Sequence, residues 1–397
     1  MERFGVTFGV LILCMAILLT TIGIRKKQLD EADMGNIVKY TDSFSMSLSG
    51  ASGTVEKIFC NDTHTECFVL LHYNDMSNVV TDASEYKMFL TASDVNQRQH
   101  ELLSNPSATI YMFGMSGYMG VYLVDYAGFP SQIMDLVVRC NKLTGPMPES
   151  VPVYEDKSFS NNDQFRIYFN PGAADYEPAD FMNMGRMSVY EIFDAMVVKY
   201  QEQEVRDALT KSIVDMESAI SLINEYSKRL SDAGIIVPPA PMQIRGDEIV
   251  TTDDGRKVLS TDYIVQGGYS FDWYHGSVKD GYIAGVLATT ENETSILNYI
   301  ARQRILAQED RLNFKNMVWL RTDGSEFKLA SDTVQSEAMT NIQNNINSLQ
   351  NAWSSYFELK KNYQTTQMEQ LLILEQNLFD TSVNYTVNAD PKLLTIW

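Results

Sequence analysis

From Phe4 to Ile24 the chain carries no charge and little polarity, and the run stops abruptly at Arg25, Lys26 and Lys27. A helix of that length extends roughly 31 Å, about the hydrocarbon thickness of a bilayer. No later stretch of similar length lacks charges, so the sequence predicts one transmembrane anchor at residues 1–27 that meets lipid through residues 4–24. A cleavable signal peptide fits less well, because its apolar core is shorter and its cleavage site wants small residues, whereas basic residues follow this run directly. A buried core helix is disfavoured too, since no face of the run is polar.

Three basic residues after the span, against Arg3 before it, favour a cytoplasmic body by the positive-inside rule. The body's Ser, Thr, Asn and Tyr content, its β-hairpins and two cysteines at the ends of one turn point the other way. The reading adopted is a single-pass, signal-anchored cell-membrane protein with an extracytoplasmic, extracellular body.

With 397 residues the chain suggests two or three domains, and 45% hydrophobic with 11% aromatic content suffices for packed cores. The net charge of −20 argues against nucleic acid as a partner of the body. Four cysteines exclude a disulfide-dense scaffold and form no C-x-x-C metal pattern. Cys60 and Cys67 make the plausible bridge.

Past the anchor the hydrophobic period becomes two. Phe44, Met46 and Leu48 alternate with serines, and Gly53–Cys60 and Cys67–Tyr73 flank a polar turn, the pattern of a hairpin. Further short strands are expected at Tyr86–Leu90, Ala108–Phe113, Gly120–Val124, Gln132–Arg139 and Gln164–Phe169, separated by glycine and proline. About eight such strands predict an antiparallel β-sandwich over residues 41–170, with an immunoglobulin-like arrangement as one form of it, although no Cys…Trp…Cys signature accompanies them.

At Ser188 the period changes again. Ser188-Val189-Tyr190-Glu191 is a capping box, and Leu209, Ile213, Met216, Ile220 and Ile223 follow at steps of four and three, the seam of a coiled coil. Gly234 and Pro238-Pro239 end this helix, placed at residues 188–233. A second long helix at 332–380 carries Ile342, Ile346, Leu349, Trp353, Tyr356 and Tyr363 on its seam, which Lys360 and Gln367 interrupt. That interruption marks a solvent-facing or partner-dependent section.

Between the helices, residues 240–330 read as an inserted α+β head domain. It is expected to hold a hairpin around Asp253-Asp254-Gly255, strands at Tyr263–Val265, Tyr269–Tyr274 and Ile283–Leu287, a helix capped by Thr290 and Glu293, and a second hairpin around Thr322-Asp323-Gly324. The two helices then form an antiparallel hairpin with the head at its far end. The tail, residues 381–397, includes a strand-like stretch at Ser382–Asn388 that could return to the sheet.

Little here reads as reaction chemistry. The four histidines, His64, His72, His100 and His275, form no His-x-x-x-His pair. Ser84 and Lys87 match Ser-x-x-Lys without its companion motifs, and the glycines of Gly114–Gly120 sit between strands rather than before a helix. No catalytic, cofactor-binding or metal residue is assigned, and the chain is not expected to be an enzyme. One candidate interaction face stands out: Tyr269, Phe271, Trp273, Tyr274 and Tyr282 concentrate aromatic side chains that can stack on sugars or bind protein. The sequence as a whole predicts a membrane-anchored structural or interaction protein of a cell-envelope assembly, of the secretion or conjugation kind. Its partners would be other membrane or envelope proteins, with homo-oligomerisation a further option. A surface receptor or adhesin that binds glycan or protein is the alternative.

Overall fold

The computed structural model describes residues 36–93, 98–144, 156–179, 187–288, 295–328, 336–391 and 394–395. The chain divides into two compact units: Met1–Phe193 with Asp380–Trp397 form unit 1, and Asp194–Phe379 form unit 2. Unit 2 is therefore inserted into the chain of unit 1. The fold is α+β, with antiparallel sheets and two long helices.

Unit 1 is built from two sheets. Strands β1 (Ser43–Ser45), β2 (Ser52–Cys60), β3 (Glu66–Tyr73), β6 (Ser107–Met112), β7 (Tyr118–Val124) and β15 (Thr386–Asn388) form the first, in the order β1-β2-β3-β7-β6-β15, and β10 (Glu177–Pro178) adds to β2. The second holds β4 (Tyr86–Ser93), β8 (Ile133–Cys140), β9 (Asp163–Phe169) and β16 (Leu394–Thr395), in the order β16-β4-β8-β9, and β5 (Gln99–His100) pairs with β4. Alternate residues of each sheet enter one shared core: Val69, Leu71, Ile110, Val121 and Leu123 from the first, and Met88, Leu90, Leu136, Val138, Phe165 and Ile167 from the second. Burial of those side chains holds the sheets together, because each removes most of a large apolar surface from water.

The chain ends cover the sheet edges. Near the start, β1 pairs with β2 while Tyr40 N–H donates to Tyr168 O (3.1 Å) and Ser47 N–H to Gln164 O (3.0 Å) on β9. At the other end, β15 pairs with β6 and β16 lies parallel to β4. Thr386 Oγ1 donates to Thr81 O at 2.6 Å, which fixes the returning tail between them. Edges covered in this way are poor templates for pairing with a second chain.

Cys60 and Cys67 face each other across β2 and β3 and are bonded, with Sγ atoms 2.14 Å apart. The turn between them is held from within: Asn61 Oδ1 accepts from the amides of Thr65 (2.9 Å) and Glu66 (3.1 Å). The bridge joins neighbours within one sheet, whereas the immunoglobulin bridge crosses between sheets. Replacing both cysteines by alanine is expected to lower the stability of unit 1 by about 2–3 kcal/mol, the loop-closure contribution of so short a loop. Denaturant titration of the intact and doubly substituted chains measures it.

After the short helices α1 (Ser158–Asn161) and α2 (Val189–Phe193), unit 2 rests on α3 (Lys199–Asp232) and α6 (Glu337–Asn362), and α7 (Met368–Asn384) continues α6 beyond a π turn. Leu209, Ser212, Ile213, Met216 and Ala219 on α3 and Ile346, Leu349, Ala352, Trp353 and Tyr356 on α6 are buried, at the spacing of a heptad seam. The helices run antiparallel, for Ser212 meets Gln367 (2.9 Å), while Arg206 and Glu375 hold one residue, Tyr282, from the two sides. π-helical turns occur at Asp194–Val198 and Tyr363–Gln367. At its end α3 is stopped by Gly234, whose φ of +78° suits glycine and closes the helix.

The described residues of the connecting stretch, 235–288 and 295–328, belong to the same compact unit as the long helices. β11 (Ile235–Ile236) pairs with β14 (Leu320–Arg321) where the segment leaves and rejoins, and β12 (Glu248–Thr251) and β13 (Lys257–Ser260) form the hairpin around Gly255. Strands expected at Tyr263–Val265 and Tyr269–Tyr274 are turns and irregular chain, and Ile283–Leu287 is the short helix α4. Beyond it lies α5 (Ile296–Glu309), capped by Ser295; the expected cap at Thr290 and Glu293 lies outside the described residues, as does the start of the second long helix at 332. Side chains of the long helices bond several of this segment's main-chain groups, among them Val265 N–H, Tyr282 N–H and Trp273 O, which leaves those groups without need of strand partners.

Among the described residues no helix is long and apolar enough to cross a membrane. The expectation of a fold class with a transmembrane helix, and of a single-pass, signal-anchored membrane protein, is corrected accordingly. Charge explains why the described helices do not qualify: α3, the longest, carries Glu202, Arg206, Asp215, Glu225 and Arg229 along its length. The anchor expected at residues 1–27 lies outside the described residues.

Candidate functional site

The aromatic residues singled out in the sequence come together in unit 2, but mostly inward. Tyr269 and Trp273 are each 3% exposed and Tyr282 is 6% exposed, whereas Phe271 and Tyr274 are half-buried. Trp273 stacks on Tyr274 with centroids 3.8 Å apart, and its indole N–H donates to the Tyr363 hydroxyl at 2.9 Å. Phe271 packs on Tyr282 at 4.8 Å. With β13 and the π turn, Tyr269 to Tyr274 enclose a hollow of about 330 Å³, which Tyr282 does not line. Its polar walls are already occupied: Gln364 Oε1 accepts from Val265 N–H (3.0 Å), and Tyr274 OH donates to Lys257 O (2.5 Å). Of the five residues read as an interaction face, Tyr269, Trp273 and Tyr282 are thus buried, and Phe271 and Tyr274 keep part of their surface exposed.

Ionic groups, partly or fully buried, hold this wall. Arg206 donates to the carbonyls of Trp273 and Gly276, and to Glu202 Oε1 at 2.6 Å. Glu375 Oε2 accepts from the amides of Tyr282 (2.5 Å) and Ile283 (2.8 Å). Burial pushes the Glu375 carboxyl above the usual carboxylate range, and those two amides offset only part of the shift. Lys360, fully buried, pairs with Asp247 at 2.8 Å and donates to Gln243 O (2.7 Å) and Thr261 Oγ1 (2.8 Å). Asp247 also accepts from Tyr356 OH at 2.8 Å. Desolvation lowers the Lys360 ammonium from its ordinary value, and the Asp247 carboxylate opposes that shift.

A surface latch ties the β12–β13 turn to the aromatic loop. Arg256 pairs with Asp254 and donates to Tyr274 O (3.2 Å), and His275 Nδ1 lies 2.6 Å from Asp272 Oδ2. Hydrogen bonds from Arg256 hold the Asp254 carboxyl well below the usual range. Partial burial works to raise Asp272, but the hydrogen bonds and charge of His275 outweigh it, so that carboxyl also sits low. A carboxylate depressed by folding contributes stability above its unfolded pKa and loses it as pH falls through its folded value. The latch is therefore expected to loosen only in acid, below the ordinary 3.8. NMR of the Tyr274 ring reads the transition, and D254N/D272N removes its acid dependence.

The open concavity lies on another side of α6. Two adjoining hollows, about 400 and 620 Å³, share Gln308, Glu358 and Lys361 and form a groove between α5 and α6. One end is lined by Arg304, Asn362, Thr365, Thr366 and Glu369, the other by Arg311, Ser354 and Phe357. Arg304 Nε donates to Glu369 Oε1 at 2.7 Å, and Thr365 Oγ1 to Lys361 O at 2.6 Å. Gly267 lets the segment cross α5 closely: its φ is +77°, and a Cβ there would lie 2.2 Å from Gln303 O. The sequence did hold a signal for this groove, the break in the seam at Lys360 and Gln367. Lys360 itself faces the interior, while its neighbours Lys361, Asn362 and Thr366 line the concavity.

Comparison with protein-family models, with curated proteins and with solved structures found no match to this chain.

Proposed function

We propose that the chain is a structural and interaction component of a larger assembly, with the groove between α5 and α6 as its contact surface. The observation that supports this reading is where the buried charge is committed. Lys360, fully buried, and Arg206 and Glu375, partly buried, all bind main-chain atoms of the segment between the long helices. Lys360 anchors the helix directly before the groove residues Lys361 and Asn362, and a surface fixed in advance loses less entropy on binding. The glycan-binding alternative is weaker, because Tyr269, Trp273 and Tyr282 are packed inside.

Photo-crosslinking tests the proposal. p-Benzoylphenylalanine is placed at position 358 or 366 in the groove, with position 228 on the exposed side of α3 as the control, and the protein is irradiated in its native cells. A discrete adduct of fixed mass from the groove positions and not from 228 supports the reading. Absence of adducts at both groove positions overturns it.

A further inference from the structure

We propose that the groove takes an extended peptide segment rich in carboxylate side chains. This inference rests on the interaction reading above and names the chemistry of the partner. Length is the first argument. Ser354, Glu358, Lys361, Thr365 and Glu369 line one side at steps of three and four, and the fifteen steps from Ser354 to Glu369 rise about 22 Å. That is the reach of about six or seven residues of extended chain.

Hydrogen-bonding capacity is the second. Gln308, Asn362 and Thr366 have no side-chain partner among the described residues, and each presents both a donor and an acceptor, which the exposed amides and carbonyls of an extended chain require. A helix offered to the groove would keep its main-chain groups internally bonded and could meet these three only through side chains.

Charge is the third. Arg304 and Glu369 neutralise each other, which leaves Arg311 and Lys361 against Glu358. The concavity is thus net positive on a chain of net charge −20, and like-charge repulsion elsewhere directs an acidic segment to it. Preorganisation adds to this. The π turn Tyr363–Gln367 follows directly on the buried Lys360–Asp247 pair, so the lining residues sit on a stretch of helix anchored to the interior.

The test uses the full chain and a phage-displayed library of random dodecapeptides, with R311E/K361E as the comparison protein and circular dichroism to establish that both are folded. The expected result is enrichment of peptides rich in Asp and Glu, whose fluorescein-labelled forms bind the native chain at least tenfold more tightly than R311E/K361E and weaken with added salt. A second variant, E358Q, is expected to bind the same peptides as tightly or more tightly. Enriched peptides that bind R311E/K361E equally well, or no enrichment at all, overturn the inference. If the crosslinks at 358 and 366 form while the library yields nothing acidic, the peptide chemistry fails and the interaction reading stands; if the crosslinks fail as well, both fall.

Discussion

Replacing Lys360 by alanine is expected to destabilise unit 2 by about 3–5 kcal/mol, among the largest effects available from one side chain in this protein. The loss comes less from the attraction that disappears than from what remains. Asp247, with its side chain 1% exposed, would lose its ionic partner and be left with Tyr356 and Thr261 as hydrogen-bond donors. Lys360 also donates to the carbonyl of Gln243, which would be orphaned. The double variant D247A/K360A removes both charges, so it is expected to cost clearly less than the sum of the single losses. Urea titration followed by circular dichroism gives the three numbers. Additive losses would show that the two groups do not act as a pair.

Trp353→Ala is expected to cost a similar amount, about 3–5 kcal/mol, by a different mechanism. Trp353 is 1% exposed, and its ring lies near those of Phe314 (centroids 6.1 Å apart) and Trp319 (6.3 Å), so that α6 meets the returning part of the connecting segment through it. Alanine leaves a void between them that the rings can fill only in part. Its indole N–H has no hydrogen-bond partner among the described residues. Trp353→Phe, which keeps a ring and loses no hydrogen bond, should therefore recover more than half of the stability. A phenylalanine variant as damaged as the alanine one would mean that packing volume is not what Trp353 supplies.

These two residues show what could be read from the sequence and what could not. Trp353 sits on the heptad seam with Ile346, Leu349 and Tyr356, and a seam is local information: spacing alone assigns those residues to one face. The same holds for the strands of unit 1, where alternation in Val69, Leu71, Ile110, Val121 and Leu123 marks the side that meets the core. Lys360 is the opposite case. A lysine on a seam reads as a solvent-facing break, and only its partner Asp247, 113 residues earlier, turns it into a buried anchor. The path of residues 235–328 was illegible for the same reason. Its backbone is satisfied by Arg206, Gln364 and Glu375 on the helices, and no periodicity within the segment encodes those distant partners. Aromatic clustering at Tyr269–Tyr274 was visible, but which side of it meets water depends on the helices it covers. The groove between α5 and α6 arises where two distant stretches meet, and the sequence offered only the interrupted seam as a sign of it.

Hydrogen exchange on the intact chain, read residue by residue, tests most directly whether side chains of the long helices lock the connecting segment onto unit 2. The amides of Val265, Tyr269, Tyr282 and Ile283, bonded to Gln364 and Glu375, are predicted to exchange as slowly as the central amides of α3 and α6, and to lose that protection in R206A/K360A. Rapid exchange at those four amides while α3 and α6 stay protected would contradict the account.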